Sequence, residues 1–305
     1  MVKVKTIQRM GHSSPRRDSF IARLRACTES RDIDEGSHIH REISCHGFLY
    51  KDLLLGAMLV HFYARCGSLD ASQHVFDTLL NRNVVGWNAL MTGYAKSVGH
   101  GMNVLKCFDQ MKQEGICPDA ISCVCTLKAC GSIRNVEKGR EIHVGIIGNA
   151  SLEKKNSILG SALMDMYAKC GILNKAKHVF DELYVWDVVS WTTLMSTYVA
   201  HGYGEEALMF FEHMKLQGIC PDEVTFVCAL KACRNMGNIN KGCEIHIELE
   251  RKGLLRNNLI LASSLVDMYA KCGALSKAKH VFDELHNRNL VLWNALMTGY
   301  TEHGF

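Results

Sequence analysis

An all-α solenoid of stacked antiparallel helix pairs is the fold class this sequence predicts, and three observations carry the prediction. The first is a long internal repeat. LMDMYAKCGILNKAKHVFDEL from Leu163 returns as LVDMYAKCGALSKAKHVFDEL from Leu265, with a weaker copy, LVHFYARCGSLDASQHVFDTL, from Leu59. WNALM at Trp87 returns as WTTLM at Trp191 and WNALM at Trp293, and LKAC at Leu127 and Leu230 is preceded by LRAC at Leu24; the unit is about 103 residues. The second observation is helical apolar spacing within each third of the chain. The third is punctuation: 25 glycines but only 3 prolines among 305 residues, the balance expected when many short helices end at glycines and none carries an internal proline.

Residues 188–222 show the elements in order. Trp191, Leu194, Met195, Tyr198 and Val199 fall on one stripe of a helix. Gly202 and Gly204 break that pattern. Glu205 and Glu206 then suit the start of a second helix, whose N-terminal dipole they complement, and Ala207, Leu208, Phe211 and Met214 form its apolar stripe. Gly218 ends this helix and Pro221 prevents its continuation. One such pair cannot bury its own stripe, so pairs must stack into a continuous core.

Composition bounds the function classes. With 48% hydrophobic and 22% charged residues, the chain has ample apolar material for a core, which excludes wholesale disorder. The longest nearly unbroken apolar run, Leu53 to Val60, falls short of the roughly 18 residues a membrane-spanning helix needs, so no membrane partner is expected. A net charge of +4 leaves any nucleic-acid binding to the local placement of Lys and Arg. The 14 cysteines contain no Cys-x-x-Cys, and most sit beside Ala, Leu, Met or Tyr at repeated places. That pattern predicts small buried hydrophobes in a reducing compartment rather than zinc ligands or disulfides. Residues 1–16, with Lys3, Lys5, Arg9 and Arg16 and no acid, form a basic leader: a disordered arm or an organellar transit segment.

The repeated blocks, above all MDMYAKCG with AKHVFDEL and WTTLMSTYVAHGYGEEALMFFEHMKLQGICPD, resemble those of plant organellar pentatricopeptide repeat (PPR) proteins of the PLS subclass, which alternates P, L and S motifs. The resemblance covers residues 17–305 and implies a right-handed α-solenoid superhelix. Its motifs are L 17–52, S 53–83, P 84–119, L 120–156, S 157–187, P 188–222, L 223–258, S 259–289 and a truncated P 290–305. The P motif at 84–119 carries one extra residue near Val98 to Gly101, in its inter-helix turn. In the last motif the stripe of Trp293, Leu296, Met297 and Tyr300 has no second helix to cover it, the pattern of a shortened array.

By the same resemblance the chain binds single-stranded RNA, about one base per repeat. The fifth and last residues of each motif read a base, and the second residue packs between bases. Second positions are Leu54, Val85, Ile121, Ile158, Val189, Val224, Ile260 and Val291, all apolar. They suit the flat faces of unstacked bases, and they equally suit an ordinary core face. An Asp at the last position only accepts hydrogen bonds and fits the imino N–H of uracil or guanine; an Asn can donate and fits the ring acceptor of adenine or cytosine. Asn88 with Asp119 thus resembles the uracil pair, Thr192 with Asp222 the guanine pair, Ser161 with Asp187 a weaker guanine pair and Ser263 with Asn289 the adenine pair, while Asn294 implies a pyrimidine. Ala57 with Asn83, Val124 with Asn156 and Val227 with Asn258 fall outside the scheme, and Asp18 at the first second position makes the first motif a cap. In the family's parallel orientation the site reads 5′ U-N-G-G-N-A-Y 3′.

No enzyme is expected in this chain. The deaminase extension carried by some family members places His-x-Glu and Pro-Cys-x-x-Cys around zinc. His40-Arg41-Glu42 and His246-Ile247-Glu248 match the first half; nothing matches the second. His40, His143 and His246 recur at one place of each L motif, and His74, His178 and His280 recur before Val-Phe, which points to repeated structural roles. A Walker-type phosphate loop and a Gly-x-Ser-x-Gly elbow are also missing. No metal or cofactor is implied, and a role in C-to-U editing requires a deaminase or other editing factor in trans. The competing class is a protein-binding scaffold, since tetratricopeptide solenoids hold peptides with similar helix pairs. Base-code pairs at fixed phase favour RNA, in a mitochondrion or chloroplast.

Overall fold

The computed structural model describes residues 15–148, 157–183, 186–255, 258–285 and 288–304, and every regular element among them is a helix. The leader through residue 14 and the last-position residue Asn156 lie outside the described residues. Pro15 and Arg16 already belong to the first helix, with Pro at its opening position, where a missing N–H costs nothing. The chain divides into two compact units, residues 1–133 and 134–305.

The first unit holds α1 (Pro15–Ser30), α2 (Ile33–Cys45), the short α3 (Phe48–Lys51), α4 (Leu53–Arg65), α5 (Leu69–Thr78), α6 (Val84–Lys96), α7 (Gly101–Gln113) and α8 (Ala120–Ile133). The first helices of successive pairs, α1, α4, α6 and α8, pack side by side, while α2, α5 and α7 each lie against the preceding first helix. The second unit repeats the scheme. It holds α9 (Val136–Ile147), α10 (Ser157–Lys169), α11 (Leu173–Asp181), α12 (Val188–Ala200), α13 (Gly204–Leu216), α14 (Glu223–Met236), α15 (Ile239–Arg251), α16 (Leu259–Lys271), α17 (Leu275–Glu284) and α18 (Leu290–Glu302). Here α10, α12, α14, α16 and α18 form the row of first helices.

Repeated sequence produces repeated contacts. The Phe of HVFD meets the Trp of the next first helix edge-on three times: Phe76 with Trp87 at 4.5 Å, Phe180 with Trp191 at 4.7 Å and Phe282 with Trp293 at 4.6 Å between ring centroids. Trp87 and Trp191 are buried because a second helix also covers them, whereas Trp293 on α18 remains 45% exposed. Small residues set the closest approaches. Gly36, Gly139 and Gly242 hold one place in α2, α9 and α15, where a Cβ would collide with Phe62, Met166 and Met268 of the next first helix. Helix ends repeat as well: at Gly218, φ is 73°, its N–H reaches Lys215 O and Ile219 N–H reaches Met214 O, a paired closure that satisfies the last carbonyls of α13. The extra residue of 84–119 is absorbed in the turn between α6 and α7, where Val98 points wholly into solvent.

The recurring histidines have structural partners. His40, His143 and His246 Nδ1 lie 3.1, 2.9 and 3.0 Å from the hydroxyls of Tyr63, Tyr167 and Tyr269, each joining a second helix to the first helix that follows it. The cysteine expectation holds for half the set: seven are buried, four are half-buried, and Cys45, Cys117 and Cys220 are exposed. Cys117 and Cys220 sit in linkers just before Pro118 and Pro221, outside the packed helix faces. Burial pushes the Cys107 and Cys233 thiols up to about 12, so these side chains remain neutral hydrophobes.

Two outcomes follow from this packing. Gly36→Ala drives a methyl into the fully buried Phe62 ring and should cost about 1–3 kcal/mol, whereas Gly145→Ala, in open space on α9, should stabilise by about 0.5 kcal/mol; urea titration measures both. Burial, the largest cause, lowers the titration of His40, His143 and His246 below the ordinary imidazole value of 6.5. The unfolded chain therefore binds protons more readily, and this stability is complete above about pH 6.5 and lost as pH falls through the lower folded values. Melting temperature should drop between about pH 7 and pH 5, and drop less in His143→Gln.

Candidate nucleic-acid interface

The first helices begin on a common device. Asp52, Asn83, Asp119, Asp187, Asp222, Asn258 and Asn289 each precede a first helix and accept backbone N–H groups of its first turn through Oδ1. Distances run from 2.8 Å, as in Ser190 N–H to Asp187 and Thr225 N–H to Asp222, to 3.2 Å, for Leu55 N–H to Asp52. The first four N–H groups of a helix have no partner within it, and Asp and Asn cap them about equally well. The cap therefore commits Oδ1. The second head-group atom, a carboxylate oxygen in Asp and an amide nitrogen in Asn, carries the chemical difference.

Two residues after each cap stands the apolar second position. Leu54, Val85, Ile121, Ile158, Val189, Val224, Ile260 and Val291 are all exposed, by 40–65%. A core face would bury them; these side chains instead stand exposed. Three residues further on, the fifth positions fall on the same side of the helix, because residues at i and i+3 are neighbours on a helix surface. Asn88 and Thr192 are buried, Ser161 and Ser263 are half-buried and Asn294 is exposed. Val124 and Val227 are half-buried, and Ala57 is buried.

Two of the expected pairs are physically joined. Asn88 Nδ2 donates to Asp119 Oδ2 at 2.8 Å. Thr192 and Asp222 meet through an intermediary: the Thr192 and Thr225 hydroxyls are 2.9 Å apart, and Thr225 Oγ1 donates to Asp222 Oδ1 at 2.7 Å. Ser161 and Asp187 are not joined; the Ser161 hydroxyl is buried without a hydrogen-bond partner among the described residues. Ser263 donates instead to Ile260 O at 3.0 Å, while Asn289 caps α18. A cleft of about 340 Å³ between α16 and α18 does bring Ser263 together with Val291 and Asn294 of the next motif.

Sequence reasoning passed over two sets of residues. Ser122 and Thr225, third in their motifs, connect the expected readers, and the signal available was their place three residues after an Asp cap. A second cleft, of about 350 Å³ in the first unit, is lined by Arg31, His61, Arg65 and Lys96 with no acidic residue. His61 is held below its ordinary value by burial first and then by the charges of Arg65 and Lys96. The recurrence of Arg65 as Lys169 and Lys271 was the clue in the sequence; those two lysines are paired with Asp165 and Glu302. Among the described residues, no three His, Cys, Asp or Glu side chains converge as metal ligands, and no helix is long and apolar enough to cross a membrane.

Fold and site define the class: an all-α helical-repeat protein that presents the same register of capped, apolar and polar side chains on successive first helices. Comparison with known proteins supplies the family. A PPR repeat family profile matches residues 82–132 and 186–235, and a PPR repeat profile matches 161–186 and 261–290. A chloroplastic pentatricopeptide repeat-containing protein of Arabidopsis thaliana is 36% identical over 92% of this chain and 45% of its own length. A mitochondrial one from the same plant is 31% identical over 94% of this chain and 28% of its own length. The chain belongs to the pentatricopeptide repeat family, and it spans less than half the length of these relatives. The crystal structure of the pentatricopeptide repeat protein PPR10 in complex with an 18-nt psaJ RNA element shares the helical solenoid fold, with a TM-score of 0.72, 18% identity, and coverage of 89% of this chain and 41% of that one.

Because the second-position side chains are exposed, replacing them should leave folding nearly untouched. The double variant Val189→Ser with Ile260→Ser should melt within a few degrees of the parent, as measured by thermal denaturation.

Proposed function

We propose that this chain is a sequence-specific single-stranded RNA-binding array of the PLS subclass, acting in organellar RNA processing as the site-recognition part of C-to-U editing. One observation carries the reading: eight apolar side chains, at the second position of eight of the nine motifs, stand exposed where a packing role would bury them. Flat apolar contacts of this kind grip unstacked bases whatever their identity. The polar fifth and last residues then supply identity, with Asp accepting from uracil or guanine and Asn donating to adenine or cytosine. Thus Asn88 with Asp119, Ser161 with Asp187, Thr192 with Asp222, Ser263 with Asn289, and Asn294 address the site 5′ U-N-G-G-N-A-Y 3′. The basic cleft at Arg31, Arg65 and Lys96 offers charge to the phosphate backbone.

Support also comes from the family. PPR10 is named as a complex with RNA, and the relatives named as chloroplastic or mitochondrial favour an organelle for this chain. These 305 residues carry no deaminase zinc signature, and the editing chemistry is supplied from outside them. The protein-scaffold reading finds less support, because a peptide groove does not require alternating Asp and Asn at cap positions, where both cap equally well.

Titration of labelled RNA carrying the predicted site tests the reading. Affinity should depend on sequence and fall with added salt, and Asp222→Asn should move preference at the fourth position from guanine toward adenine by about 1–3 kcal/mol. Peptide binding without RNA affinity, or an unchanged base preference in Asp222→Asn, overturns it.

A further inference from the structure

The third residue of a motif has no part in the reading above, yet at two junctions it sits between the two proposed readers. Ser122 and Thr225 are fully buried at the third position of α8 and α14. Hydrogen bookkeeping at Thr225 is restrictive. Its hydroxyl owns one proton and donates it to Asp222 Oδ1 at 2.7 Å, the charged acceptor, while Asp222 N–H approaches the same oxygen at 3.3 Å. The remaining contact, Thr192 Oγ1 at 2.9 Å, must then be a donation from Thr192 to Thr225. Thr192 has no proton left. Toward a ligand it offers lone pairs only, beside a carboxylate oxygen of Asp222 that also only accepts.

We infer that Thr225 is a specificity-determining positioning residue: by taking up the Thr192 proton it makes Thr192 and Asp222 a double acceptor, which only guanine among the four bases can satisfy. Guanine presents adjacent N1–H and N2–H donors on its Watson–Crick edge, whereas uracil, cytosine and adenine each place at least one acceptor beside the donor. This inference rests on the base-reading proposal and sharpens it. The other junctions supply contrasts. Ser122 lies 2.6 Å from Asn88 Oδ1, but Asn88 has two N–H groups, only one of them given to Asp119, so that pair remains a donor with an acceptor. At Asp187 the bridge is half built: Ser190 Oγ donates to Asp187 Oδ1 at 2.7 Å, while the buried Ser161 hydroxyl has no partner and retains its proton.

The test compares RNAs with guanine, inosine, uracil or adenine at the fourth position, bound to the 305-residue chain and its variants. Inosine keeps N1–H and lacks the N2 amino group, so it probes the Thr192 acceptor without a mutation. The parent should prefer guanine to inosine about tenfold. Thr225→Val should bring that ratio close to one and admit uracil, Thr225→Ser should restore it, and uracil preference at the Asn88 position should not change. A parent that prefers guanine to uracil and adenine but not to inosine overturns the inference and leaves base reading intact, as does a folded Thr225→Val that still rejects inosine. A parent indifferent to all four bases at this position overturns the reading itself.

Discussion

Everything at the interface depends on the Asp or Asn cap that starts each first helix. A helix start leaves backbone N–H groups without partners, and in a stack of short helices the need recurs at every pair. One oxygen of the cap meets it, with N–H to Oδ1 distances of 2.8 Å at Asp187 and Asp222 and 2.9 Å at Asn83, Asp119 and Asn289. Asp and Asn are nearly equivalent in this duty. Exchanging them leaves helix stability almost unchanged while converting the remaining atom from acceptor to donor. Stability fixes the residue pair that is allowed and leaves the choice within that pair open.

The architecture was legible because its determinants are periodic. The Phe76–Trp87, Phe180–Trp191 and Phe282–Trp293 contacts recur because HVFD and the following Trp recur, and the glycines at 36, 139 and 242 mark one close helix approach three times. The second positions were legible only as apolar. Val or Ile at helical spacing serves a core and a ligand surface alike, and their exposure is decided by which face of the helix the neighbouring pairs cover. Family resemblance pointed to the fifth residues and their last-position partners, but not to the third residues that join them. Thr192 reaches Asp222 through Thr225, a residue from the next helix, and no spacing rule within one motif describes a contact between two.

Ser161 and Ser263 show the same limit from the other side. Both are serines at the fifth position of an S motif, yet one hydroxyl is buried without a partner and the other turns back to Ile260 O. The difference lies beyond the motif. Ser190 follows the first, and Leu292, buried and without a hydroxyl, follows the second. Ser263 bonds within its own helix, as serines in helix interiors commonly do.

At several junctions the fifth residue of one motif and the third of the next share polarity. Asn88 meets Ser122 and Thr192 meets Thr225, while in sequence Ala57 is followed by Gly86 and Val227 by Leu261; Ser263, followed by Leu292, is the exception. Burial explains the pairing, since a polar side chain enclosed at a helix interface costs about 1–3 kcal/mol unless it is bonded. Asn88 and Thr192, both buried, are bonded by polar neighbours from the following helix, whereas the half-buried Ser263 bonds within its own. Consequently the motifs are not independent letters. Replacing Thr225 by Val would leave the Thr192 hydroxyl without its partner on the following helix, so the chemistry one motif offers is limited by the packing of the next.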